Sequence, residues 1–171
     1  MSVSSVLFLI GGMAAGLHLP DIDQTLPLLD HRSILTHSPF LPLCIFILAH
    51  KKGHAGLWMA AVGVSLTVAV HLAFDLFPQQ WAGYALISAP IIGRTGALFS
   101  GLWIGGSMVV CLYLALGQIQ GRWMVVVSLS GSGVGFCHAA IAELVISLPA
   151  LITLVLAAWG IWRARRAIRS R

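Results

Sequence analysis

Six side chains of the kinds that bind metal ions occur in three short motifs of this chain. They are three aspartates and three histidines, namely Asp21, Asp23, His31, His37, His71 and Asp75. Mixed carboxylate and imidazole ligation suits Zn²⁺, Mn²⁺ or Fe²⁺ better than Mg²⁺ or Cu⁺. Six donors are enough for one ion with open substrate positions or for two ions. The motifs therefore predict a divalent metal centre, with zinc as the favoured ion.

The spacing within the motifs favours convergence on one centre. His71 and Asp75 are four residues apart, so a helix would present both on one face. Asp21 and Asp23 follow Pro20 and are two residues apart, and an extended segment would point both side chains the same way. Each motif alone has an ordinary explanation, such as a turn former or a hydrogen-bonded core histidine. Their combination in a chain with only five acidic residues favours the metal centre.

Metal-assisted hydrolysis is the chemistry that this donor set would support. A bound ion would lower the pKa of a water molecule and polarise a phosphoryl oxygen. Asp23 is the predicted general base, and Arg32 is the predicted bidentate contact for a phosphate group. Arg94 is a second predicted substrate contact. Further candidate ligands, of which the last two are equally well explained as a buried hydrogen-bonded pair, are His18, His138 and Glu143.

The composition restricts the elements that must position these residues. The chain has 171 residues, of which 58% are hydrophobic and 9% are charged. A soluble domain carries about 25% charged residues, so this composition excludes an ordinary soluble domain, a disordered chain and a coiled coil. We predict an all-α, polytopic transmembrane helical bundle in which residues 1–171 form a single integral membrane domain.

Six apolar stretches define the predicted spans, at residues 3–19, 34–50, 55–77, 97–116, 123–146 and 148–162. The second stretch contains Pro39 and Pro42. A helix that began at Pro39 would measure only about 18 Å to His50, too short for about 30 Å of hydrocarbon. We therefore expect this helix to begin near Ser33 and to bend at the prolines. The chain divides into a motif-bearing part, C-terminal spans and a basic tail, at residues 10–95, 97–162 and 163–171.

The distribution of basic residues predicts the orientation. Lys51, Lys52 and Arg122 lie between alternate spans, and the positive-inside rule assigns these loops to the cytoplasm. Both termini are then cytoplasmic, and the three metal motifs meet at the outer face. The net charge of +5 comes from the tail, which favours anionic lipid over nucleic acid as the partner and contains Arg163, Arg165, Arg166, Arg169 and Arg171.

Three pairs of glycines have the spacing that lets transmembrane helices approach closely. These Gly-x-x-x-Gly pairs begin at Gly12, Gly101 and Gly131. We expect them to serve packing within one bundle, since nothing in their surroundings indicates a dimer face.

The three motifs together resemble those of a prokaryotic family, the LexA-regulated, membrane-bound metal-dependent hydrolases, or YdjM-like proteins. The resemblance covers roughly residues 10–95. Its motifs run from Leu19 to Asp23, from His31 to Ser38 and from His71 to Asp75. The chain departs from the family pattern in having Ser33 in place of a glycine, one extra residue before Thr36, and no histidine before His18.

The resemblance implies a metal-dependent hydrolase of the inner membrane. The family is similar at a distance to zinc-dependent phospholipases C and related nucleases, which implies phosphoester chemistry with one or more metal ions. A centre at the outer membrane–water interface makes membrane lipids the expected partners and a lipid or lipid-linked phosphate the expected substrate.

Two other functions stay open on the sequence alone. A non-catalytic metal carrier, transporter component or lipid-binding scaffold would continue its polar residues through the bilayer, and His138 is the one obvious mid-span candidate. A purely structural protein would use the polar residues to cap helices. Metal analysis of the purified protein would separate the structural protein from the other two.

Overall fold

The computed structural model describes residues 2–27, 29–76, 86–119, 122–138, 141, 155, 158–163 and 165–166. The main elements are five helices: α1 (Val3–His18), α2 (Phe40–Lys52), α3 (Ala55–Leu76), α4 (Ala97–Gly117) and α5 (Arg122–His138). A 3-10 helix follows α1 at Pro20–Thr25. A small antiparallel hairpin precedes α4 and consists of β1 (Ser88–Ala89) and β2 (Gly93–Arg94). The prediction of a mainly α-helical chain is confirmed.

The third helix, α3, is the centre of the described fold. It packs against α1, α2, α4 and α5, and most of its side chains are buried. Its Ser65 and Thr67 hydroxyls donate hydrogen bonds to the carbonyls of Ala61 and Gly63, one turn earlier. These bonds satisfy the two hydroxyls within the helix, so α3 presents an apolar surface to its neighbours up to His71.

Glycines allow α1 and α3 to lie backbone to backbone. A Cβ on Gly12 or Gly16 would collide with the α3 backbone, and one on Gly63 would collide with the α1 backbone. The predicted packing role is thus confirmed for the first glycine pair. Gly131 of α5 also lies against α3, where its Cβ would meet the side chain of Leu66. Gly105 has no atom within 4 Å of such a Cβ and makes no close helix contact.

Two described helices, α3 and α4, are long and apolar enough to cross a membrane. In the most apolar 18-residue stretch of each, 67% of the α3 residues are buried but only 22% of the α4 residues. The other described helices are shorter. The last two predicted spans, 123–146 and 148–162, extend beyond the described residues, and the six-span count stays a prediction.

The expected start of the second helix near Ser33 is wrong. Helix α2 begins at Phe40, whose backbone N–H donates to the Ser38 hydroxyl at 3.2 Å. Residues 33–39 cannot join the helix because their backbone is engaged elsewhere. The clearest case is an isolated parallel bridge between Ser33 and Ser88. The 13 residues of α2 measure about 20 Å at 1.5 Å per residue.

The extended conformation expected for the Asp-x-Asp motif is also wrong. Asp21 and Asp23 lie in the 3-10 helix, where about three residues complete a turn, so side chains two apart diverge. Asp23 is buried, whereas the Asp21 side chain is 41% exposed and accepts a hydrogen bond from Gln24. Pro20 starts this tight helix, and its fixed φ suits a first helical turn. The 3-10 helix thus places Asp23 in the interior and Asp21 near the surface.

Candidate metal centre

The three predicted motifs meet at one end of α3. The last two turns of α3 carry His71 and Asp75, the 3-10 helix after α1 carries Asp21 and Asp23, and the loop before α2 carries His37. The loop is fixed to the β-hairpin. The Ile34 N–H donates to the Ser88 carbonyl at 2.8 Å, and the Ser88 N–H donates to the Arg32 carbonyl at 2.9 Å. The centre therefore rests on hydrogen-bonded backbone rather than on free loops.

The environment of His71 fixes which of its nitrogens faces the centre. Its Nδ1 lies 3.0 Å from the Leu17 carbonyl, and a carbonyl only accepts, so Nδ1 carries the proton. The Nε2 lone pair is then directed into the cluster. There it lies 3.4 Å from Asp75 Oδ2 and 3.9 Å from Asp21 Oδ1. A histidine that donates to a backbone carbonyl through its other nitrogen has the usual arrangement of a metal ligand.

His37 is oriented in a similar way by Thr36 of its own loop and by Asp23 of the 3-10 helix. Thr36 donates its hydroxyl proton to Asp23 Oδ2 at 2.8 Å and presents its oxygen to His37 Nδ1 at 3.1 Å. The Nδ1–H also faces Asp23 Oδ2 at 3.4 Å, which leaves Nε2 unprotonated and 3.2 Å from Asp75 Oδ2. The His37 carbonyl accepts a hydrogen bond from Trp103 Nε1 at 3.0 Å. The ring is completely buried, so these contacts fix both its position and its tautomer.

Asp21, His37 and His71 each offer a ligand atom within 4.8 Å of the others, and this group can hold a metal ion. Asp75 Oδ2 lies 3.2 and 3.4 Å from the two Nε2 atoms. Ligand atoms of tetrahedral zinc, with bonds of about 2.0–2.1 Å, are separated by about 3.3–3.4 Å. His37 Nε2, Asp75 Oδ2 and Asp23 Oδ1 are buried without a hydrogen-bond partner. Such orphaned atoms are costly, and a cation between them would satisfy the two that face the cluster.

Asp23 contacts the loop and the histidines around the centre. Its Oδ2 accepts hydrogen bonds from the Ser33 N–H at 2.7 Å and from Thr36, and its Oδ1 lies 3.6 Å from His31 Nδ1. Both carboxylate oxygens thus face histidine rings, those of His31 and His37. This position fits a carboxylate that orients histidines, and the predicted role of Asp23 as a general base stays a prediction.

Arg32 lies beside the cluster in a strained conformation. Its φ of 61° is in the left-handed region, which a long side chain adopts only when its surroundings impose it. Its Nε–H donates to Asp75 Oδ1 at 3.1 Å, so Asp75 Oδ2 is the oxygen turned toward the histidines. The side chain is 32% exposed. In the described part of the chain, no acceptor is bound by the two terminal nitrogens of the guanidinium, which are the ones suited to an anion.

An open cavity of about 650 Å³ adjoins the centre. Asp23 forms part of its wall together with His31, whose side chain is 48% exposed. The remaining wall includes Asp30, Gln24, Thr25, Leu26, Pro27 and Leu29. His31 therefore connects the buried carboxylate of Asp23 to a space where water and substrate can enter.

Three predicted residues within the described part of the chain do not join this cluster. Arg94 is exposed on β2, opposite Ser88 in the hairpin register. His18 is exposed and lines an apolar groove between α1 and α5. The His138 ring packs edge-to-face on Phe74, with 4.9 Å between the ring centroids. Glu143 lies outside the described residues.

Three contributors to the centre were missed by sequence reasoning: the Leu17 carbonyl, Ser88 and Trp103. The Leu17 carbonyl is a backbone group, and Ser88 contacts the loop of His37 through backbone hydrogen bonds between segments far apart in the sequence. Trp103 is one of six tryptophans, and its apolar surroundings gave no sign of a polar role. None of the three had a motif or a spacing that could have identified it.

Comparison of the chain with protein-family models, with curated proteins and with solved structures finds no match. The assignment of a function therefore depends on the geometry of the centre, and the resemblance drawn from the motifs stays a prediction.

Proposed function

We propose that the chain is a membrane-embedded, metal-dependent hydrolase that cleaves phosphoester bonds in lipid or lipid-linked substrates at the outer face of a prokaryotic cytoplasmic membrane. The observation that carries the proposal is the pair of buried imidazoles, His37 and His71. Each has its Nδ1 proton engaged and its Nε2 directed at the same aspartate oxygen, Asp75 Oδ2. Two neutral histidines and a carboxylate, with a position left for water, are typical of catalytic zinc sites. Mn²⁺ and Fe²⁺ suit the same donors.

The proposed roles follow from exposure and contact. His37, His71 and Asp75 would hold the ion, and Asp21, whose Oδ1 lies 3.9 Å from His71 Nε2, would be an additional donor. The ion would supply Lewis acidity and lower the pKa of a bound water. His31 is the proposed proton acceptor, because it lines the cavity and its Nδ1 lies 3.6 Å from the buried carboxylate of Asp23. An exposed imidazole paired to a buried carboxylate is a common general base. The base is thus His31, and Asp23 is its positioning residue.

Arg32 is the proposed contact for the phosphate group. Its Nε–H donates to Asp75, and its terminal nitrogens bind no acceptor among the described residues. A guanidinium held by one aspartate keeps a fixed plane, which lowers the entropy lost when it binds a phosphate through two hydrogen bonds. The left-handed backbone of Arg32 supports the same role, since strain at one residue is often retained where a side chain must be aimed.

The surface of the described helices supports a membrane location. Only 22% of the residues in the most apolar stretch of α4 are buried, and both α4 and α1 expose several apolar side chains. Soluble monomers rarely expose apolar patches larger than a few hundred Å². Lipid is the environment in which such a surface is stable, and the exposed side chains include Leu7, Ile10, Leu98, Leu102 and Val109.

The described interior favours an enzyme over a transport protein. A transport path needs polar groups that continue across the bilayer. Below the centre, the buried part of α3 is apolar, and its Ser65 and Thr67 hydroxyls are bonded to carbonyls of their own helix.

A purified-protein assay tests the proposal. The full chain in detergent–lipid micelles would be given a phospholipid or lipid phosphate, with and without a chelator, and compared with His71→Ala. We expect hydrolysis that the chelator abolishes and that Zn²⁺ or Mn²⁺ restores, and at least a 100-fold lower rate for the variant. His54→Ala is the matched control, because His54 is an exposed histidine at the opposite end of α3.

Two results would overturn the proposal. Activity that is indifferent to both the chelator and His71→Ala would remove the metal centre from the reaction. Stoichiometric metal binding without hydrolysis of any phosphoester would leave a metal-binding protein that is not an enzyme.

A further inference from the structure

The tip of the β1–β2 hairpin presents two isoleucines to the surroundings. Ile91 is 107% exposed and Ile92 is 80% exposed, so neither side chain packs on the protein. Both follow Pro90 in the three-residue connection between Ala89 and Gly93. A polar turn would be the ordinary choice for such a position in water.

The backbone at this tip is strained in a way that stability does not explain. Ile91 has a φ of 76°, which is a genuine outlier for a β-branched residue. Glycine or asparagine would adopt this conformation far more easily. A strained and fully exposed isoleucine therefore indicates a requirement for its side chain.

The surroundings of the tip match a lipid surface. Arg94 is exposed two residues after Ile92, on the second strand of the hairpin, and its guanidinium has no partner in the described part of the chain. Helix α4 begins three residues later and has further exposed apolar side chains, including Leu98 and Leu102. An exposed apolar tip with a cation close to it in the chain fits the acyl chains and phosphates of a bilayer interface.

The hairpin is coupled to the candidate metal centre. Ser88 of β1 exchanges two backbone hydrogen bonds with the loop at Arg32 and Ile34, and its hydroxyl donates to Asp30 Oδ2 at 2.8 Å. The tip and the phosphate contact of the proposed enzyme are therefore parts of one hydrogen-bonded unit. Anything that fixes the depth of the tip also fixes the depth of Arg32.

We infer that the hairpin tip inserts Ile91 and Ile92 among the acyl chains of the outer leaflet, while Arg94 binds the phosphate of a lipid headgroup. The insertion holds the metal centre at the level of the lipid phosphates. This inference rests on the membrane location in the proposed function and is independent of the hydrolase activity.

A depth measurement tests the inference. The full chain with Cys44→Ala and Cys137→Ala would carry Ile92→Cys labelled with an environment-sensitive fluorophore; Cys111 is buried and can stay. In phosphatidylcholine nanodiscs, spin-labelled at acyl carbon 5, we expect blue-shifted emission and at least twofold quenching. The same label at Gln24→Cys, which is exposed on the 3-10 helix, should show neither.

Water-like emission at position 92 would overturn the inference. A blue shift without quenching by the spin-labelled lipid would also overturn it, because the tip would then contact protein, such as a second copy of this chain.

A second variant separates insertion from catalysis. Ile91→Asn suits the left-handed backbone, so we expect an unchanged or higher unfolding temperature. The ratio of turnover on a bilayer phospholipid to turnover on a short-chain soluble phosphoester should fall about tenfold. An unchanged ratio would contradict the inference. If the chain hydrolyses neither substrate, the proposed function fails, while the fluorescence measurement still decides the position of the tip.

Discussion

The two ends of α3 carry histidines in opposite arrangements. At the C-terminal end of α3, which is the outer end in the proposed orientation, His37 and His71 are buried, each has one nitrogen bonded, and each directs the other nitrogen at Asp75. At the N-terminal end, which is the inner end in the proposed orientation, His50 and His54 are exposed beside Lys51, Lys52 and Gly53. His54 Nδ1 accepts the Leu57 N–H at 3.1 Å and so caps the helix.

The difference teaches which features separate a candidate ligand from an ordinary polar residue. The presence of histidine does not separate them, because each end of α3 has two histidines. Each histidine of the outer pair is buried, has a partner that fixes its tautomer, and has a carboxylate in front of its other nitrogen. The inner pair has cationic neighbours, which would repel a metal ion.

Removal of a ligand should give the largest contrast between the two ends. His37→Ala deletes one of the two Nε2 donors, and we expect the affinity for Zn²⁺ to fall by more than about 100-fold. This loss exceeds the roughly 10–100-fold that is typical when a residue hydrogen-bonded to a metal ligand is removed. His54→Ala should leave it unchanged. Competition against a chromophoric chelator measures both. Equal affinities for the two variants would place the ion elsewhere.

The next largest effect should come from the residue that orients both loop histidines. Asp23→Asn keeps the shape but weakens the acceptors for His31 and His37. We expect the affinity for Zn²⁺ to fall by about 10–100-fold, as for other outer partners of metal ligands. Asp30→Asn is the control, because Asp30 bonds only Ser88 among the described residues. A larger loss for Asp30→Asn than for Asp23→Asn would contradict the assignment.

A change in the packing of α1 on α3 near Gly16 should displace groups at the outer end of α3 and not at the inner end. Gly16→Val forces α1 away from α3 and moves the Leu17 carbonyl that holds His71. We expect destabilisation of about 1–3 kcal/mol, the usual range for overpacking. Gly11→Val lies on the same helix with open space around it and should have little effect. Unfolding in mixed micelles measures both. Equal stability would show that α1 and α3 are not in close contact.

The smallest expected effect concerns the two tryptophans. Trp103→Phe removes the N–H that donates to the His37 carbonyl and should destabilise the metal-bound state by about 1 kcal/mol. Trp58→Phe acts toward the inner end, where Trp58 packs edge-to-face on Phe46. Thermal shifts with and without Zn²⁺ distinguish them: only Trp103→Phe should reduce the shift caused by the metal.

The sequence predicts the long helices well and their arrangement poorly. The expected spans 55–77 and 97–116 correspond to Ala55–Leu76 and Ala97–Gly117. Their hydropathy values, 1.9 and 1.8, are nearly the same, yet α3 is buried and α4 is exposed. Hydropathy reports the preference of a residue for an apolar environment, and protein and lipid are both apolar. The small residues of α3 were the only available signal for its central position.

The candidate site shows a similar division. The residue types and the helical spacing of His71 and Asp75 were readable, because they depend on neighbours in the sequence. The helix start at Phe40 and the 3-10 helix at Pro20–Thr25 were not, because they depend on where backbone hydrogen bonds are made. The loop at Ser33 bonds to Asp23 and pairs with Ser88, and these contacts replace the helix that the apolar pattern predicted.

If α2 spans the bilayer as the sequence predicts, its length of 13 residues has a consequence for the surrounding lipid. At about 20 Å, it is about 10 Å shorter than the hydrocarbon thickness of a typical membrane. Such a mismatch is relieved when the lipid next to the short helix becomes thinner. Lipids beside α2 would therefore lower their headgroups toward the midplane. Bilayer thickness would then act as a regulator of the protein, because short-chain lipids would meet it with the least deformation.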